Sequence, residues 1–187
     1  MIIGLSGYAQ SGKDTVAQIL VDNYGYTRVA FADKIRELLY EMDPPLPIGY
    51  GLEAHVVGLQ NYVEIYGWET GKQNLTVRSM LQNIGLGARK VFGEDFWVKQ
   101  ALSSCKPWEK IVVTDVRFKN EADYLKGFPN AQLWRIKRNG VQAVNAHVSE
   151  TEMDGYPVDQ IFTNNETIED LTALVKVRMG LLNDFQG

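Results

Sequence analysis

The chain opens on an apolar run, Met1-Ile2-Ile3-Gly4-Leu5-Ser6, that ends in a glycine turn. Continuous apolarity over so short a length predicts a buried strand. From Lys13 to Tyr24 the apolar positions Val16, Ala17, Ile19 and Leu20 share one face, and a helix is predicted. Thr27 to Phe31 predicts a short strand. Asp33 to Met42 predicts a second helix, with Ile35, Leu38, Leu39 and Met42 apolar. Three prolines and two glycines between Asp43 and Gly51 must stop it. Residues 53–75 show weak helical periodicity and no strong strand, which predicts an inserted helical segment. Val77 to Phe92 predicts a helix with Met80, Leu81, Ile84 and Val91 inward, although Gly85 and Gly87 weaken its continuity. Asp95 to Ser103 predicts another, N-capped by Asp95. Ile111 to Thr114 is strand chemistry ending at the acid Asp115. A helix over Lys119–Lys126 follows, then strands over Gln132–Lys137 and Asp159–Thr163. The closing helix runs from Thr167 to Leu182, with Ile168, Leu171, Leu174, Val175 and Leu182 apolar. Strands alternating with helices predict an α/β fold built on a parallel sheet.

Composition narrows this picture. The length of 187 residues suits one compact domain with a small insert, and 45% apolar with 22% charged residues excludes overall disorder. A net charge of -4 gives no global basic field, so neither a nucleic acid polymer nor an anionic membrane is an expected partner. Cys105 is the one cysteine, which excludes an intramolecular disulfide and a cysteine-rich zinc site. His55 and His147 are the two histidines, too few for a multi-histidine metal centre. No apolar run approaches the roughly 18 residues of a membrane span. The stretch Met1–Leu5 lacks the charged start of a signal peptide, so a cytoplasmic location is expected.

The strongest motif is Gly7-Tyr8-Ala9-Gln10-Ser11-Gly12-Lys13-Asp14-Thr15, which fits Gly-x-x-x-x-Gly-Lys between a strand and a helix. Glycines let the backbone curl so that successive N–H groups face one anion, and the helix N-terminus adds partial positive charge. Lys13 can reach the β- and γ-phosphates of a nucleoside triphosphate. Ser or Thr normally follows that lysine and holds magnesium; here Asp14 does, followed by Thr15. Asp14 reads equally as an oxygen ligand for magnesium or as an acid favoured by the helix dipole.

Asp115 would stand at the carboxyl end of a strand, where open α/β sheets bind ligands. A reaction between phosphorylated groups gathers anionic oxygens, which planar arginine donors suit. Arg36, Arg78, Arg89, Arg117, Arg135 and Arg138 are the candidates, some of them simply solvated. His147 beside Ser149 and Glu150 reads equally as an acid–base group or as structure, and His55 as surface.

Taken together, these residues resemble the bacteriophage-type deoxynucleoside monophosphate kinases, within the larger group of P-loop nucleotide kinases. The resemblance begins with Leu5-Ser6-Gly7 and Ser11-Gly12-Lys13-Asp14-Thr15, where Asp after the lysine is itself a feature of the group. It continues through Phe31-Ala32-Asp33-Lys34-Ile35-Arg36, then Arg78 to Gly85 with Gln82, then Phe96-Trp97-Val98-Lys99. Val113 to Phe118 with Asn120-Glu121, His147 to Glu150, and Thr163-Asn164-Asn165 complete it in order. It implies a three-layer P-loop kinase fold, a parallel sheet flanked by helices, with a helical acceptor-binding insert near residues 43–76 and a lid near 138–152. It implies that Ser11, Gly12, Lys13, Asp14, Thr15, Arg138 and Asn164 hold ATP, and that Asp14 and Asp115 hold Mg2+. Ile35, Arg36, Arg78, Gln82, Trp97, Asp115, Arg117 and Glu121 would surround a deoxynucleoside monophosphate, with Lys13, Asp115 and Arg117 catalytic. Read from the residues alone, Trp97 also suits a core, and Glu121 a local contact with Arg117.

The expected reaction moves the γ-phosphoryl of ATP, or of dATP, onto the acceptor phosphate. That phosphate has a second pKa of about 6, so no strong general base is needed. Kinases of other small acceptors, such as dephospho-coenzyme A, shikimate or phosphomevalonate, share the loop, and so would an NTPase without an acceptor. A homodimer is compatible with the sequence, and a phage-encoded chain would act in its host's cytoplasm.

Overall fold

The computed structural model describes residues 1–49, 55–142 and 151–184, with residues 183 and 184 described by backbone alone. They form two compact units, one of Met1–Ala30 with Leu102 onward, the other of Phe31–Ala101. The expected insert, 43–76, is the middle of the second unit.

In the first unit, β1(Ile2–Ser6), β2(Thr27–Val29), β5(Ile111–Val113), β6(Gln132–Lys137) and β7(Gln160–Thr163) make a five-stranded sheet in the order β2-β5-β1-β6-β7. Every pairing is parallel. β1 and β5 are buried throughout, as strands covered on both faces must be. On one face, Ile3, Leu5, Trp134, Ile136 and Phe162 pack with α1(Lys13–Tyr24) and the last helix, α7(Ile168–Asp184). On the other, Gly4 lies under Leu125 of α6(Lys119–Lys126). Helix, sheet and helix give the three layers. α7 turns Leu171, Val175 and Met179 inward, whereas Ile168 and Leu174 are exposed. Leu171 through Met179 advances in steps of four, the stripe that one helical face presents.

The second unit corrects the sequence reading. Its start is helical from Phe31: α2(Phe31–Met42) takes in the residue expected to end a strand. Residues expected to be helical or loop contain an antiparallel hairpin, β3(Pro45–Ile48) with β4(His55–Gly58). Pro45 and Pro47 alternate, so only Leu46 and Ile48 have N–H groups to donate. Such a strand can pair on one side, and the prolines blunt the other. Asp43 Oδ1 then accepts from Gln60 N at 2.8 Å, capping α3(Leu59–Gly71), which breaks at Gly67. Asn74 caps α4(Leu75–Phe92) by accepting from Thr76 N at 2.9 Å. α4 runs unbroken through Gly85 and Gly87, and Val91, expected inward, is 71% exposed. α5(Phe96–Leu102) follows directly after Asp95. Leu39, Leu46, Leu59, Val63 and Val77 form this unit's core.

Candidate active site

The loop from Gly7 to Gly12 leaves the carboxyl end of β1 and enters α1. Gly7 has φ 139, and a side chain there would put its Cβ 2.3 Å from the Ile136 carbonyl oxygen. Gly12 has φ 104, and its Cβ would fall 2.2 Å from Asn164 Nδ2. Neither position has room for another residue, and neither backbone suits one. The carbonyls of Gly7 and Tyr8 accept from Lys13 Nζ at 2.8 and 2.7 Å. Asp14 is exposed in the first turn of α1, where the helix dipole favours an acid. Thr15 is half-buried beside it.

Ser11 is 1% exposed, and its hydroxyl has no hydrogen-bond partner among the described residues. A buried hydroxyl without a partner loses about 1–3 kcal/mol. That loss is recovered if a ligand oxygen reaches it. Ser11 lines a cavity of about 330 Å³ together with Gly7, Tyr8, Arg117, Arg135 and Arg138. The cavity thus combines part of the glycine loop, an unpartnered hydroxyl and three arginines, of which Arg135 is also bonded to its wall. That set of donors fits a polyphosphate, and the exposed Asp14 carboxylate in the first turn of α1 is the kind of oxygen that magnesium takes.

The neighbouring loops are held from several directions. Asp115 stands two residues past β5, between Thr114, whose N–H donates to Val29 O, and Val116, whose N–H donates to Leu5 O. Arg117 is half-buried on the same turn. Glu121 does something the resemblance does not imply. Its carboxylate is 4% exposed and accepts from Arg117 N at 2.8 Å and Phe118 N at 3.0 Å. Glu121 therefore shapes the turn that carries Arg117 and caps α6. Asn164 is likewise a loop brace: its Nδ2 donates to Ser11 O at 2.9 Å.

Met153, Asp154 and Gly155 wall the cavity. Arg135 Nη2 donates to Met153 O at 2.5 Å and Tyr156 O at 2.9 Å. Tyr156 donates its hydroxyl to Asp123, and Lys126 Nζ lies 4.8 Å from its ring centre. Burial first, then the Asp123 bond, pushes the Tyr156 phenol up to about 12, so it stays a donor. Glu152 Oε1 accepts from Lys119 N at 3.0 Å. Tyr8 Oη donates to Asp154 Oδ2 at 2.7 Å. None of these ties is visible in the sequence; Tyr8 occupies a variable position of the motif and its partner lies 146 residues away. The expected lid falls largely on 143–150, as does His147, outside the described residues.

The remaining expected residues belong to the second unit. Ile35 packs on α4: its Cδ1 would be 3.3 Å from a Cβ on Gly85. Trp97 is 4% exposed and donates Nε1 to Gly85 O at 2.9 Å, so it is a core residue bracing α4. Arg36 pairs with Asp33 one turn back. Arg78 Nε donates to Lys72 O at 3.1 Å. Arg78 and the half-buried Gln82 are four apart on α4 and share a face.

The sheet order and the loop at the carboxyl end of its central strand are those of a P-loop kinase. The chain belongs to the deoxynucleotide monophosphate kinase family, whose model matches residues 53–175. A relative from Acanthamoeba polyphaga mimivirus, named a putative deoxynucleotide monophosphate kinase, is 28% identical over 94% of each chain. Solved structures similar to it include a dephospho-CoA kinase from Campylobacter jejuni (14% identical, 98% of each chain, TM-score 0.48). A sugar kinase from a Janibacter species is another (11% identical, 92% of this chain and 90% of that one, TM-score 0.44). Among the described residues, no helix is long and apolar enough to cross a membrane.

Proposed function

We propose that the protein transfers the γ-phosphoryl of ATP to a deoxynucleoside 5′-monophosphate, giving the diphosphate and ADP. The observation that carries this reading is the cavity that Arg117, Arg135 and Arg138 line together with Gly7, Tyr8 and the unpartnered Ser11 hydroxyl. An acceptor phosphate oxygen forms the new bond to the γ-phosphorus while the bond to the β–γ bridging oxygen breaks. The acceptor is already ionised near neutral pH, so positioning and charge neutralisation suffice.

In this reading the loop N–H groups and Ser11 bind the donor phosphates. Lys13 leaves the Gly7 and Tyr8 carbonyls for the β- and γ-oxygens. Asp14 and Asp115 would hold Mg2+, which when bound offsets charge on the phosphate oxygens. Arg117, fixed by Glu121, would meet the phosphoryl group in transit. Arg36, Arg78 and Gln82 would recognise the acceptor, with Ile35 and Trp97 holding α2 and α4 in shape behind them.

A panel of the four deoxynucleoside monophosphates, assayed with ATP and magnesium by ADP release, tests the proposal. Turnover stimulated by at least one is expected. Stimulation only by another acceptor, or hydrolysis without any, would refute it.

A further inference from the structure

We infer that Tyr8 is a positioning residue for the glycine loop, which it ties to Asp154. This rests on the loop being the donor site, as proposed above. The Tyr8 backbone carbonyl accepts from Lys13 Nζ at 2.7 Å and from Ser11 N at 3.2 Å. Residue 8 therefore shapes both the lysine's resting place and the turn that presents Ser11. The side chain of the same residue is fastened at its far end, by a 2.7 Å bond from its hydroxyl to Asp154 Oδ2.

Asp154 is itself on held ground. Arg135 grips the carbonyls of Met153 and Tyr156 on either side of it. Tyr156 is bonded to Asp123, and Lys126 Nζ donates to Pro157 O at 3.1 Å. Asp154 N donates to Thr151 O at 2.9 Å, closing the turn. The wall is thus anchored to β6 and α6 without help from Tyr8, and Tyr8 ties the loop to it. Gln10, two residues on, holds the left-handed φ of 63 without being glycine, a conformation that costs a residue with a Cβ some energy.

A tethered loop has less freedom to lose when a triphosphate binds, so the tether should act on donor affinity before it acts on the chemical step. The acceptor does not require this loop to change, so its KM should be indifferent. The chemical signature is a tyrosine hydroxyl donating to a carboxylate, which Phe abolishes and Asn at 154 partly preserves through its amide oxygen.

The test is titration of ATP with magnesium by calorimetry, together with steady-state kinetics in both substrates. Tyr8→Phe and Asp154→Ala should each weaken ATP binding about three- to tenfold, raise the ATP KM alike, and leave the acceptor KM unmoved. The double variant should be no worse than either single one. Asp154→Asn should recover most of the affinity. Melting curves should stay close to the parent's, since the bond is exposed. Unchanged ATP affinity in Tyr8→Phe, additive losses in the double variant, or equal shifts in both KM values would overturn the inference. If the parent protein itself fails to bind ATP, it is the donor reading that falls, and the tether with it.

Discussion

β1 in the first unit buries all five of its residues, whereas α4 in the second, at 18 residues, buries only Val77 fully. A central strand has neighbours along both edges and layers over both faces. A helix in a small unit has one covered side, and Phe92 at its end is 68% exposed. The lesson is a division of labour. The loop that must approach phosphate within hydrogen-bond distance is mounted on the closely packed unit. Of the arginines proposed for the acceptor, Arg78 is exposed on α4, where a side chain can be changed with little effect on packing, whereas Arg36 is half-buried and paired with Asp33.

The sharpest way to probe that division is to remove function from the packed unit without touching its packing. Lys13→Ala should lower phosphoryl transfer roughly a thousandfold, about 4 kcal/mol of barrier, with an unchanged melting midpoint. Coupled ADP-release rates beside a thermal melt check both halves; a variant that turns over normally removes Lys13 from the mechanism. Next come the two cores themselves. Leu171→Ala, under the sheet, should cost near the upper end of about 2–5 kcal/mol, and Leu59→Ala, beside the partly buried Tyr62 and Trp68, near the lower end. Denaturant unfolding of both variants decides it, and equal losses would erase the contrast.

A smaller effect is expected on the helices of the second unit. Arg78→Ala should raise the acceptor KM about tenfold and leave the donor KM alone, and lysine should not restore it if the contact is bidentate. Steady-state kinetics with each substrate varied in turn reads this directly. The last effect is confined to alkaline pH. Burial pushes the Tyr26 phenol from its ordinary 10.0 up to about 12, so the folded state favours the protonated form. That contribution is complete below pH 10 and is lost as the pH rises toward about 12. Tyr26→Phe should flatten this fall in stability, measured by denaturant midpoints across the range.

How much of this was legible in the sequence follows from how local each feature is. β1, the glycine loop and α1 declare themselves within about 24 residues, because motif, apolar run and helical face are contiguous. The parallel order could be inferred from alternation alone. The β3–β4 hairpin could not, since prolines were read as breakers; alternate prolines still permit pairing along one edge. Asn74 was passed over because a cap announces itself only when the first turn is known, and the helix was expected to start at Val77. For the site, the motifs single out the loop residues, Asp115 and Arg117, while the backbone bonds of Glu121 and Asn164 and the packing of Trp97 and Ile35 exist only in three dimensions. A polar side chain in a site motif has two kinds of partner available, and only tertiary structure says which it has taken. Tyr8, Arg135 and Asp154 carried no periodicity or spacing at all.

The position of β1 in the sheet also has a consequence for the making of the protein. Its partners are β5, which begins at Ile111, and β6, which begins at Gln132. A nascent chain therefore extends about a hundred residues beyond β1 before the first of these exists. At roughly 5–20 residues per second that is on the order of ten seconds. In that interval the whole Phe31–Ala101 segment emerges, with both strands of its hairpin present. Ile2, Ile3 and Leu5 wait through that interval without their sheet partners. The strand that will bear the phosphate loop is made well before the strands that cover it and is closed late, so it is a stretch with much to gain from a chaperone at the ribosome exit.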